Sequence, residues 1–375
     1  MAYFNHEPLV IGDLIVPTPV VQGGMGIGIS LSGLASAVAN EGGVGVLSAA
    51  VVGMVRSTPG TASNILALKE EIRRARAKTK GVLGVNIMVA LTDFGDMVKT
   101  SIEEGIDIIF AGAGLPLNLP SYLEKSSKTK LVPIVSSARA VKTIARWWKE
   151  KYNYIPDAFV VEGPMAGGHL GFQPEQLENP DYQLEKLVPQ VLEAVHPLEE
   201  QCGRKIPVIA AGGIFTGADI KRFLNLGAAA VQMATRFVAT DECDADIAFK
   251  NAYIQCEKED IGIIQSPVGM PGRAIINDFL RDAKLGKKHP TQCPFHCIVT
   301  CEQQTSPYCI SAALISACRG RLANGFAFIG ANGYRVKEIL PVKKLFETLE
   351  QEYQQCGDCE SENCEAPINQ KGMSI

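Results

Sequence analysis

Short apolar runs alternate with longer amphipathic segments along most of the chain. PVVQ at 19–22 is followed by a helical pattern over 32–40, VGVL at 44–47 by a charged helical segment over 63–79, and GVNIMV at 84–89 by one over 93–104. DIIFAGAG at 107–114 and LVPIVSS at 131–137 come next, then a helix containing Trp147 and Trp148, then AFVV at 158–161 and a helix over 182–200. PVIAAGGI at 207–214, a short helix ending at Leu226 and AAVQMATRF at 229–237 complete the series. The runs are too short for buried helices and lack the polar alternation of half-exposed strands, so they read as strands buried on both faces. Eight such strands with helices between them predict an α/β fold, the parallel (β/α)8 TIM barrel. A doubly wound sheet also alternates strand and helix, but no G-x-G-x-x-G leads from a strand into a helix here. The barrel is assigned to residues 1–240, a smaller cysteine-containing lid region to 241–352, and an acidic tail, read as disordered, to 353–375.

Composition narrows the class. With 46% hydrophobic and 20% charged residues in 375, the chain is a globular protein with ample core. A net charge of -4 and the lack of a Lys/Arg-rich block give no reason to expect nucleic acid as a partner. No apolar run approaches the roughly 18 residues of a membrane span. The opening MAYFNHEPLVIGD lacks a basic start and an apolar core, so the expected location is cytoplasmic. The oligomeric state, monomer or homodimer, is open.

Candidate chemistry collects at the C-terminal ends of the strands, which a barrel gathers on one face. The stretch VVEGPMAGGHLGF at 160–172 ends a strand in a Gly-rich turn, and His169 follows Gly167 and Gly168. An imidazole carried on backbone that approaches a ligand closely suits a general acid or base; a turn with an incidental histidine is the alternative. The same face should hold Gln22, Gly23, Gly24, Met25, Asn86, Ala111, Gly112, Gly114, Ser136, Glu162, Gly212, Gly213 and the segment from Ala234 to Arg236. AAGGI and QMATR end the seventh and eighth strands, and their N–H groups would cradle a phosphate unless they are only tight turns.

The 11 cysteines all lie from Cys202 onward. Cys293, Cys297, Cys301 and Cys309 are spaced C-x3-C-x3-C-x7-C, a thiolate set suited to a soft metal centre. An iron-sulfur cluster is the leading reading; zinc, which favours C-x2-C pairs, and free thiols are the alternatives. Cys356, Cys359 and Cys364 lie at the tail, where C-x2-C spacing leaves a second metal site open. Cys202, Cys243, Cys256 and Cys318 show no pattern and read as inert buried thiols. Leu345 and Leu349 share a helical packing face.

QGGM at 22–25, GVNIMV, AGAG at 111–114, EGPMAGGHLG, AAGGI and VQMATRF, in that order, resemble the FMN-dependent nitronate monooxygenase and barrel-type enoyl-ACP reductase family, and the likeness extends into SPVGMPGRAI at 266–275. The resemblance implies FMN held by Gly23, Gly24, Met25, Asn86, Glu162, Gly167, Gly168, Gly212, Gly213, Ala234 and Thr235, with His169 as catalytic base or acid. Two positions depart from the family pattern: Ala234 stands where a glycine is usual, and Met165 where a glutamate is common. With the cysteine segment, IPDAFVVEGP, ATRFVATDECDA and FIGANGYRV at 328–336, the chain is similar to a bacterial branch that carries FMN and a 4Fe-4S cluster. That branch oxidises and isomerises medium-chain acyl-ACP in unsaturated fatty acid synthesis. The resemblance thus implies Cys293, Cys297, Cys301 and Cys309 as cluster ligands, the last with an unusually short preceding gap. It also implies acyl carrier protein as a partner, for which Arg281, Lys284, Lys287 and Lys288 are a candidate docking patch. Nitronate oxidation, NAD(P)H-dependent enoyl reduction and a flavin/iron-sulfur sensor are the competing activities.

Overall fold

The structure is a computed structural model that describes residues 3–56, 64–293 and 295–356. An antiparallel hairpin, β1 (Leu9–Ile11) and β2 (Leu14–Val16), precedes the barrel. The barrel strands are β3 (Val20–Gln22), β4 (Gly45–Ser48), β5 (Leu83–Met88), β6 (Ile108–Gly112), β7 (Lys130–Val135) and β8 (Phe159–Glu162). A two-residue strand outside the barrel, β9 (Gly168–His169), comes before the last two staves, β10 (Val208–Ala211) and β11 (Ala230–Met233). All eight barrel strands are parallel, in the order β3-β11-β10-β8-β7-β6-β5-β4. A parallel bridge between Val21 and Val44, with Gln22 N–H donating to Val44 O at 3.0 Å, closes the ring.

Each apolar run became one stave because both of its faces are covered. Val21, Val46, Ile108, Phe110, Val132, Val160 and Ile209 pack inside the barrel, and Leu9, Ile11 and Val16 of the hairpin join the same cluster. Their strand neighbours Leu47, Val85, Ile109, Leu131, Val161 and Val208 pack outward in the larger core beneath the helices. Period-two geometry sorts the two sets. Gly84 leaves room for Phe110: a Cβ there would stand 2.7 Å from the ring.

Beyond the barrel, β12 (Ile261–Gln265) and β13 (Pro271–Ile275) form an antiparallel pair whose outer neighbour is β9. The region 241–352 shares the barrel's core, since Phe279, Leu280, Tyr308, Ile310, Phe326, Leu345, Phe346 and Leu349 belong to the cluster that covers the strands. The helix Val342–Gln355 buries Leu345, Phe346 and Leu349, and it reaches past 353, the expected start of the tail. Glu352 on it accepts from Gly217 N–H at 2.8 Å and pairs with Arg236 at 3.1 Å. Cys359 and Cys364 lie outside the described residues. No helix among the described residues is long and apolar enough to cross a membrane.

Candidate active site

A cavity of about 240 Å³ lies at the C-terminal ends of the barrel strands. Gly23, Gly24 and Met25 follow β3, Asn86 stands on β5, Glu162 ends β8, and Ala234 and Thr235 follow β11; all line it, as do Gly167, Gly168 and His169. Gly212 and Gly213 do not. Both adopt left-handed backbone, at φ 93° and 89°, and both pack behind the β8 loop, where added Cβ atoms would meet Gly163 O at 2.8 Å and Met165 Cβ at 2.9 Å. Asn332 Nδ2 donates to Gly213 O at 2.6 Å.

The wall is built for close approach. A Cβ on Gly24 would sit 2.3 Å from Asn86 Cβ, and one on Gly167 would sit 2.6 Å from Gly330 N. Gly168, at φ 79°, has nothing within 4 Å of an added Cβ, so the backbone leaves open space there. Buried Gln22 ties the strands beneath, its Oε1 accepting from Val46 N–H at 3.0 Å. This glycine cradle, with backbone and amide groups around it and apolar Met88, Leu91, Ile134, Ile298 and Leu314 beyond, fits a planar flavin with an apolar substrate alongside.

His169 is the chemical centre of the wall. Gly272 and Arg273 of β13 pair with His169 and Gly168, so a hairpin about a hundred residues later in the chain fixes the imidazole. His169 Nε2 lies 2.8 Å from Ser266 Oγ, and Val268 N–H donates to that oxygen at 3.2 Å. The Phe328 ring meets the imidazole edge at 5.1 Å. Burial pushes the His169 pKa down to about 4, so the ring is neutral at physiological pH. Burial pushes Glu162, on the same wall, up to about 7. Arg273 Nη1 donates to Pro164 O at 2.5 Å and Ala166 O at 2.7 Å, clamping the loop between β8 and β9. Burial works against its charge and lowers its pKa. Ser266, Arg273 and Phe328 were carried in the quoted stretches SPVGMPGRAI and FIGANGYRV, but no local signal gave them roles: each acts through a partner remote in sequence.

The cysteine segment forms part of the lid. Leu91 and Ile298 form a bridge, Val299 N–H donates to Ala90 O at 2.9 Å, and Thr92 Oγ1 donates to His296 O at 2.7 Å. Cys297 Sγ lies 2.9 Å from Ser311 Oγ, and burial raises the Cys297 and Cys309 thiols. Cys293 and Cys309 are close enough to raise Cys297 further, as Cys293 and Cys301 do Cys309. Among the described residues no group of three or more His, Cys, Asp or Glu side chains is placed to hold a metal ion. The expected ligand set Cys293, Cys297, Cys301 and Cys309 therefore lies together in one lid segment without forming a single-ion site. Cys243, Cys256 and Cys318 are buried, as read from the sequence, whereas Cys202 is half-exposed. In the proposed docking patch, Arg281 pairs with Asp278 at 2.7 Å, while Lys287 and Lys288 pair with Asp282 at 3.1 and 3.7 Å, which offsets much of its charge.

Comparison with known proteins agrees with this geometry. A 5-hydroxy-7a-methyl-1-oxo-octahydro-1H-indene-4-carboxyl-CoA dehydrogenase of Mycobacterium tuberculosis is 31% identical over 72% of this chain; the match spans 66% of that relative. A probable nitronate monooxygenase of Staphylococcus saprophyticus is 27% identical over 72% of this chain and 79% of its own length. The structure of FabK from Thermotoga maritima superimposes with a TM-score of 0.68 at 28% identity, covering 90% of this chain and 93% of that one. The nitronate monooxygenase family profile matches residues 8–352. The chain therefore belongs to the nitronate monooxygenase family of oxidoreductases.

Proposed function

We propose that this chain oxidises, and by proton return isomerises, a medium-chain acyl thioester carried on acyl carrier protein or coenzyme A. The observation that carries this reading is a half-buried His169, fixed by Ser266 and β13, in a cavity that pairs a glycine cradle with apolar walls. Gly23, Gly24, Met25, Asn86, Gly167, Gly168, Ala234 and Thr235 would hold FMN, which when bound supplies two-electron acceptor chemistry. The thioester carbonyl acidifies the α C–H, and His169 would take that proton at the ring nitrogen not engaged with Ser266 while the β hydride leaves to the acceptor that FMN would supply. For isomerisation His169 would take a γ proton from the enoyl product and return one at the α carbon. The imidazolium so formed carries hydrogen on both nitrogens, and Ser266 Oγ accepts from Nε2. The apolar walls orient the chain and exclude water from the charged intermediate. The cysteine segment enters as a wall of the cavity, and no step is routed through it. Iron analysis of anaerobically purified protein decides whether it also carries a cluster: roughly four irons per chain for 4Fe-4S, none for free thiols.

The similarity to a probable nitronate monooxygenase favours a second reading, oxidation of an alkyl nitronate, which needs the same base and cavity. Anaerobic stopped flow separates the two by following the oxidised flavin absorbance. A saturated medium-chain acyl thioester should bleach it quickly, a nitronate slowly. Bleaching by nitronate with none by acyl thioester would transfer the assignment; bleaching by NAD(P)H followed by reoxidation with an enoyl thioester would make the chain an enoyl reductase.

A further inference from the structure

Cations gather on one exposed helix face with no carboxylates to answer them. The helix Ala138–Tyr152 buries Val141, Ile144, Ala145 and Trp148, and Trp148 Nε1 donates to Pro116 O at 3.0 Å, which fixes the face turned to solvent. On that face Arg139, Lys142, Arg146 and Lys149 recur at i+3 and i+4 spacing, with Lys151 at its edge. They are scattered through the sequence and meet only on the helix surface. All are exposed, and none pairs with an Asp or Glu among the described residues. Glu150 is the only acid on the helix. The helix Asn64–Lys78 shows the contrast: its Lys69, Arg73, Arg74 and Arg76 each reach a carboxylate within 3.2 Å. Trp147 stands beside the cations at 38% exposure, with Lys151 Nζ 5.6 Å from its ring centre.

Helix stability does not explain this face. The helix dipole favours Lys149 and Lys151 in the last turn but disfavours Arg139 in the first, and Lys142 has Arg139 and Arg146 one turn away on either side, where like charges repel. That repulsion and the exposed indole both cost free energy that an anionic partner would offset. The kind of partner follows from what the face lacks. A protein interface needs an apolar core, and Trp147 is the only large apolar side chain the helix exposes. Single-stranded nucleic acid is gripped in charged grooves lined with several aromatic rings, whereas this is the outer face of one helix. A lipid surface asks for a cationic stripe and an interfacial aromatic, and the helix supplies both over about 22 Å. We propose that this face binds anionic phospholipid headgroups and holds the protein at a membrane surface without spanning it. The helix follows β7, whose Ile134 lines the cavity, so the stripe starts on the cavity's side of the barrel. The proposal is independent of the acyl-thioester reading.

The test is co-sedimentation of the full chain with vesicles of phosphatidylcholine alone and of equal parts phosphatidylcholine and phosphatidylglycerol. The protein should partition onto the mixed vesicles at low salt, leave them at high salt, and ignore phosphatidylcholine. Each Lys or Arg near such a surface adds about fivefold to partitioning, so Lys142→Ala with Arg146→Ala should lower it by roughly 25-fold while circular dichroism stays that of the parent. Lys284→Ala with Lys287→Ala removes the same charge elsewhere and should leave partitioning within about twofold. The chain has two tryptophans and Trp148 is enclosed, so the emission should shift to the blue on mixed vesicles and the shift should vanish in Trp147→Phe. Equal partitioning onto both kinds of vesicle, none at low salt, or equal losses in the two double variants would overturn the proposal. Tighter binding to a single-stranded polynucleotide than to mixed vesicles at the same salt, lost with Lys142 and Arg146, would overturn it too and make the face a nucleic-acid surface.

Discussion

At the scale of single residues, two half-buried groups on one cavity wall have pKa values moved in opposite directions by the same cause. Removal of water disfavours charge, so His169 falls to about 4 and Glu162 rises to about 7. Replacing His169 by Ala should leave flavin content unchanged and cut turnover by about 10²- to 10⁴-fold, the usual share of a positioned base. Turnover within about tenfold of the parent would remove His169 from that role. The pair also predicts a stability profile. His169, lowered from 6.5, contributes stability above pH 6.5 that is lost as pH falls through 4. Glu162, raised from 4.5, contributes stability below pH 4.5 that is lost as pH rises through 7. Each amounts to something on the order of 3 kcal/mol. Between pH 4.5 and 6.5 the two oppose each other, so the parent should change little while Glu162→Gln gains stability with pH. Denaturant midpoints at the two pH values check this, and parallel behaviour of parent and variant would contradict it.

At the scale of elements, the loop between β8 and β9 is held from outside the barrel. Arg273 clamps two of its carbonyl oxygens, and β13 pairs with the strand that carries His169. Displacing a catalytic group by about 1 Å can cost on the order of 10²-fold in rate. Both bonds come from Arg273 Nη1, and Arg273→Lys keeps the charge on a side chain one bond shorter, so it should lower kcat with flavin still bound, and Arg273→Ala should lower it further. Parent-like kcat in both variants would show that the clamp is dispensable. The loop after β3 makes a separate demand: Gly24→Ala places a methyl 2.3 Å from Asn86 Cβ, so flavin occupancy should fall, as absorbance of the purified variant near the flavin maximum would show. Full occupancy would mean that Asn86 yields without disturbing the site.

At the scale of the molecule, barrel and lid are one body. Phe346, fully buried, packs against Tyr3 at 5.3 Å and Phe237 at 5.8 Å, joining the two ends of the described chain to the helix after the last stave. Phe346→Ala should destabilise the whole protein by about 3–5 kcal/mol, shifting a single unfolding transition. Loss of signal from the C-terminal helix alone, with the barrel transition unmoved, would show that the two unfold separately. A shared core also explains why the lid can form one wall of the cavity: Ile298, Ile310 and Leu314 are positioned by packing that continues beneath the barrel helices.

The sequence by itself determined the barrel, because a strand buried on both faces must be apolar along its length and leaves a run that no exposed element imitates. It determined much of the cavity wall for a similar local reason: the strand ends converge by topology, so Gly23, Gly24, Asn86, Glu162, His169 and Ala234 were legible as one group. Tertiary structure alone decided what holds and tunes them. Ser266, Arg273 and Phe328 reach His169 and its loop through pairings that span many tens of residues, and neither periodicity nor spacing records such a contact. The same limit applies to Cys293, Cys297, Cys301 and Cys309 and to Gly212 and Gly213. Spacing brought the thiols into one segment and turn chemistry placed the glycines at a strand end, but whether the thiols meet at a single-ion site and whether the glycines line the cavity depend on the packing around them.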